Sequence, residues 1–113
     1  MSAKLYQANH NLKEAEALYK RARKRRADAQ TKRENAFRRM HKLRIEANAV
    51  VAQYVLGEAS WQEVIDIRVK RNKACAEWGK ARGMEGLAGE ESWALCRSVQ
   101  NIKKRIKALE EKQ

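Results

Sequence analysis

Apolar and small side chains recur at alternating spacings of three and four through the first half of the chain. The series is Leu5, Ala8, Leu12, Ala15, Tyr19, Ala22, Arg26, Ala29, Arg33, Ala36, Met40, Leu43, Ala47, Val50 and Tyr54. That spacing is a heptad seam, and it predicts one long helix over about residues 3–55. No glycine precedes Gly57, and Ala, Lys, Arg, Glu and Leu, all good helix formers, dominate this stretch. At 1.5 Å per residue such a helix would be about 80 Å long. Half of the seam is a column of small residues, Ala8, Ala15, Ala22, Ala29 and Ala36, which lets a partner backbone approach closely and reads as a helix-packing or dimer seam. Arg26 and Arg33 occupy seam positions, where a charge either sets register or lies with its stem on the seam and its head in water.

Gly57 ends this helix, and Ser60-Trp61-Gln62-Glu63 is a capping box that starts a second one at Trp61. The apolar positions Val64, Ile65, Ile67, Val69, Ala74, Cys75, Ala76 and Trp78 cover more than one stripe. Trp61, Trp78 and Trp93 are therefore expected in a core, with Trp78 the first candidate for an exception because glycine follows it. Three glycines in seven residues, Gly83 to Gly89, predict a turn. Glu90 and Glu91 then suit the positive N-terminus of a third helix, which carries Trp93, Cys96, Val99, Ile102, Ile106 and Leu109 on one face. The resulting expectation is an all-α chain: a long N-terminal helix (about 3–55) with two shorter helices (about 61–82 and 90–112) in a three-helix bundle or antiparallel coiled coil. Residues 1–113 form a single elongated helical domain in this reading, with 1–34 a basic coiled-coil arm and 35–113 the bundle.

Composition sharpens the picture. The 113 residues include no proline, and Lys and Arg outnumber Asp and Glu by 26 to 14, for a net charge of +12. Residues 1–53 hold 14 basic and 5 acidic side chains, net +9, so most of the positive field belongs to the first helix. Such a field attracts polyanions and speaks against DNA mimicry, which needs the opposite sign. No signal-peptide core or bilayer-spanning apolar run occurs, and the chain reads as cytoplasmic, or nuclear in a eukaryote, with no membrane partner. Cys75 and Cys96 have no metal-ligand spacing and read as buried free thiols; no metal or cofactor is expected.

Catalysis has little support. His10 and His41 lie about 46 Å apart along one helix, and no phosphate-binding loop, nucleophile elbow or dinucleotide fingerprint is present. The densest chemical feature is basic. Lys20, Arg21, Arg23, Lys24, Arg25, Arg26, Lys32 and Arg33 face only Asp28 within residues 20–33, net +7, and Arg38 and Arg39 extend the run. Arginine forks suit phosphate, and charges around most of a helix circumference suit a groove better than a flat surface. A basic helix joined to a heptad seam is similar in layout to the leucine-zipper transcription factors. Their Asn-x-x-Ala-Ala-x-x-Cys/Ser-Arg pattern does not occur between Asn11 and Arg39, so the chain is not read as a member. The aromatic residues, 6% of the chain, form no visible stacking platform.

Two functions follow from these residues. The first is a non-catalytic basic helical protein that holds nucleic acid, or a nucleoprotein complex, by its phosphates. The second is an adaptor or inhibitor that docks its helical surface on a larger protein such as a nucleic-acid-processing enzyme, of the kind mobile elements encode. An exposed alanine seam on the N-terminal helix wants a partner, most simply a second copy in a homodimer, although an unrelated protein could fill the same seam.

Overall fold

The computed structural model describes residues 2–112. It is all-α, with helix α1 spanning Ala3–Val55 and α2 spanning Trp61–Glu111. The two run antiparallel as a helical hairpin. The long first helix agrees with its seam, and the expected third helix is absent because residues 61–111 form one uninterrupted helix.

Both ends of the connection are built from the residues that the sequence marks. The Gly57 N–H donates to the Tyr54 carbonyl at 3.0 Å and the Glu58 N–H to the Gln53 carbonyl at 2.8 Å. These two bonds close a Schellman cap, which requires a left-handed residue, and Gly57 supplies it with φ of 77°. Ser60 Oγ then accepts the Glu63 N–H at 3.1 Å and caps α2. Ser2 Oγ does the same for α1, accepting the Leu5 N–H at 3.1 Å.

Helix α2 continues through the glycines because a second seam runs beneath them. Val64, Ile67, Arg71, Ala74, Trp78, Ala81, Glu85, Ala88, Ser92, Leu95, Val99, Ile102, Ile106 and Leu109 alternate spacings of three and four, and every one is buried or half-buried. Three polar members, Arg71, Glu85 and Ser92, disguise the series, since an apolar pattern is what the eye follows. Glu90 and Glu91 consequently sit in mid-helix and cap nothing.

Two compact units divide the hairpin. Unit 1 comprises residues 1–28 with 86–113, and unit 2 comprises residues 29–85. In unit 1, Leu5 and Ala8 pack against Ile106, flanked by Leu12, Ile102 and Leu109. Ala15 and Ala22 are buried as well. This half of the alanine column is thus covered within the chain, and the close helix approach that small residues permit is made between α1 and α2. In unit 2, Met40 and Val64 are the largest fully buried side chains, and Ala47 and Ala74 are buried with them. Ala29 and Ala36 are half-buried.

The tryptophans reverse their expected order. Trp61 is 50% exposed and Trp93 62% exposed, so neither is a core residue. Trp78, the expected exception, is the more buried of the three. Trp61 sits just beyond the cap and Trp93 falls on the outer face next to the seam residue Ser92; in a core only two helices wide, one step off the seam leaves a side chain in water. Cys75 and Cys96 are half-buried. Trp61 keeps a tilted contact with Tyr54, their ring centroids 5.3 Å apart. Its replacement by alanine is expected to lower stability by about 1–2 kcal/mol, below the 3–5 kcal/mol typical of a fully buried aromatic. Chemical denaturation of Trp61→Ala measures this, and a loss above about 3 kcal/mol would contradict the exposed placement.

Candidate functional site

Helix α1 carries the basic residues singled out above, and α2 alters them unequally. In unit 1, Lys20, Arg21, Arg23, Lys24, Arg25 and Arg26 are all exposed. Arg25 forms an ion pair with Glu91 of α2, and the Arg23 guanidinium lies 5.7 Å from the Tyr19 ring centroid. Arg26 leaves the seam for solvent while its Nε remains 3.9 Å from where a Cβ on Gly89 would stand. A large arginine stem is therefore accommodated beside the smallest residue of α2.

In unit 2, Lys32, Arg38 and Arg39 are exposed and Arg33 is half-buried. Arg33 pairs with Glu85, and Arg39 approaches Glu77 to 3.5 Å. Arg33 keeps its seam position because Glu85 occupies the facing seam position of α2, an exchange of apolar contact for a charge-assisted hydrogen bond. Of the ten basic side chains, Arg25, Arg33 and Arg39 are thus paired with carboxylates of α2. Such partly exposed pairs contribute at most about 1 kcal/mol each.

A second group of cations was not legible as part of a site. Lys70 and Lys73 of α2 lie near Arg39 and Lys42 of α1, and Arg71 lies near Arg44. One shallow depression is lined by Arg39, Lys42, Leu43, Glu46, Lys70 and Lys73, and another by Arg44, Asn48, Arg71, Asn72 and Cys75. Unit 2 holds 12 basic and 7 acidic residues, net +5, while unit 1 holds 14 and 7, net +7. Positive charge is accordingly present in both units, although along the sequence residues 54–88 are almost neutral, net +1.

The turn end of unit 2 is apolar and open. Val55 and Leu56 are 77% and 72% exposed, and Tyr54, Trp61, Ile65 and Val69 are exposed beside them. Among the described residues, no cluster of His, Cys, Asp or Glu is suited to hold a metal ion. Among the same residues, no helix is long and apolar enough to cross a membrane. No protein-family model, curated protein or solved structure matches the chain.

Proposed function

We propose that the chain is a non-catalytic nucleic-acid-binding protein that holds the phosphate backbone through the basic part of α1. The observation that carries this reading is the exposure of Lys20, Arg21, Arg23, Lys24 and Arg26, none of which is engaged by a carboxylate in a described ion pair. Five such cations within seven residues of one helix contact phosphates on either flank, and backbone contacts of this kind position a protein without reading sequence. A rigid helix holds the charges in place before binding, so little side-chain ordering beyond the arginine stems is needed.

The test is binding of duplex and single-stranded probes as a function of salt. Replacing Arg21, Arg23, Lys24 and Arg26 by Gln should flatten the slope of log affinity against log salt by about 3–4, from roughly 0.7–0.9 per lost phosphate contact. Arg25→Gln, which removes a cation already paired with Glu91, should change the slope far less. Unchanged binding by the quadruple variant would remove this site from consideration.

A second reading has its own support in the open apolar turn end, Val55, Leu56 and Trp61, which suits a protein partner. Under it the chain is an adaptor or inhibitor of a larger protein. Purification from its own cell after nuclease treatment separates the two, because only a protein partner would survive that treatment.

A further inference from the structure

One lateral face of unit 2 combines aromatic and cationic groups that are far apart in sequence. Phe37 and His41, one turn apart on α1, are stacked with centroids 5.9 Å apart and planes 9° apart. Phe37 also meets Trp78 of α2 at 5.9 Å with a 56° tilt. The Arg82 guanidinium lies 4.9 Å over the Trp78 ring. Arg44 and Asn48 follow Phe37 and His41 at helical spacing along α1, and with Arg71 and Asn72 they line a depression nearer the turn. At the opposite end the face is bounded by Glu34, which accepts from Gln30 at 3.3 Å and lies 3.9 Å from Arg33.

We propose that this face binds single-stranded nucleic acid, with a nucleobase stacked on the Phe37, His41 and Trp78 cluster and the flanking phosphates held by Arg82 and Arg44. The proposal rests on the nucleic-acid reading above, but it uses a different set of residues. Three observations support it. First, Phe37 is 42% exposed and His41 is exposed, so a stacked pair of rings is open to water where a solvent-facing position would ordinarily be polar. Second, the Trp78 indole Nε1 is shielded from solvent without a hydrogen-bond partner among the described residues. A buried N–H left unpaired is unfavourable, and phenylalanine would fill the seam without it. The Arg82 guanidinium over the Trp78 ring marks the face that a base would take, the guanidinium moving from the ring to the adjoining phosphate as the base stacks. Third, Phe37 and Arg44 are separated by about 10 Å along α1, which is room for about three nucleotides at the 3.4 Å spacing of a stacked strand. Bases in a duplex hide their faces in the stack, so only an unpaired base can use the rings.

The experiment uses the full chain with Trp61→Phe and Trp93→Phe, which leaves Trp78 as the only tryptophan. A short oligothymidylate should change Trp78 fluorescence saturably, and a duplex of equal length should change it little. Phe37→Ala with His41→Ala should weaken oligothymidylate binding about tenfold or more, the loss expected for one stacked base, while duplex affinity stays within about twofold. Phe37→Leu, which retains apolar bulk and removes the ring, should share the loss, and circular dichroism checks that each variant stays helical. A silent Trp78 at saturation, equal losses for both probes, or full affinity in Phe37→Leu would each overturn the proposal. If the aromatic variants lose single-strand binding while the quadruple Gln variant binds as before, the basic-segment reading fails and this one stands. The reverse pattern leaves the basic segment and removes this face, and a chain that binds neither probe removes both.

Discussion

Met40→Ala is expected to destabilise the hairpin by about 2–5 kcal/mol, the range for deleting a buried methionine side chain. Met40 is 2% exposed and, with Val64, is the largest side chain fully removed from solvent. Most of its fellow core residues are alanines, which bring the helix backbones close but bury little area each. A seam between two helices also has no third element to close over a void, so the lost contacts are not replaced. A chain of this length has a total stability of roughly 6–17 kcal/mol on general grounds, and the loss is a large share of it. Met40→Leu conserves volume and should cost less than about 1.5 kcal/mol. Urea denaturation followed by circular dichroism measures both, and a midpoint unmoved by Met40→Ala would show that stability resides elsewhere.

The opposite change should follow from filling α2 with alanine. Gly79, Gly83 and Gly86 lie in the helix interior, and a Cβ added at any of them meets no atom within 4 Å. Each replacement removes backbone freedom from the unfolded chain and loses nothing in the folded one, which is worth about 0.4–1 kcal/mol per site. The triple variant should therefore gain about 1–3 kcal/mol. Gly57→Ala is the control, since its φ of 77° strains any residue with a Cβ, and it should lose stability. The pair of results also separates a helix from a turn across residues 83–89: were this segment a turn that uses glycine's left-handed freedom, alanine there would destabilise. A triple variant no more stable than the parent would contradict the continuous α2.

Local rules made much of this legible. The α1 seam was readable because its members are mostly apolar or alanine, and thirteen of its fifteen positions are buried or half-buried, Arg26 and Tyr54 being the exceptions. The cap at Gly57 and the restart at Ser60 were readable because each depends on one residue's backbone or hydroxyl. The α2 seam was present in the sequence but masked: Glu85 and Ser92 sit at core positions, and three nearby glycines carry an ordinary meaning of turn. Glycine disfavours a helix by only about 1 kcal/mol per residue, which packing along the whole seam overrides. The tryptophans were misplaced for a different reason. A large ring suggests a core when the number of helices is unknown, and a third helix would have covered Trp61 and Trp93.

The candidate sites divide in the same way. The charge run from Lys20 to Arg39 is a property of the chain itself, since contiguous cations on a helix stay together in any fold that keeps the helix. Which of them are paired was decided by α2, whose Glu91, Glu85 and Glu77 meet Arg25, Arg33 and Arg39. The Phe37, His41, Trp78 and Arg82 cluster was also invisible beforehand, because its two halves are about forty residues apart. By itself the sequence determined helicity, the first seam, the cap and the sign of the field, because these depend on neighbours within one turn. Only the tertiary structure decided that two helices pair and not three, which cations are paired with carboxylates, and which aromatic rings meet. Those depend on the antiparallel register, which is set by packing along both seams together and cannot be read from either strip of sequence alone.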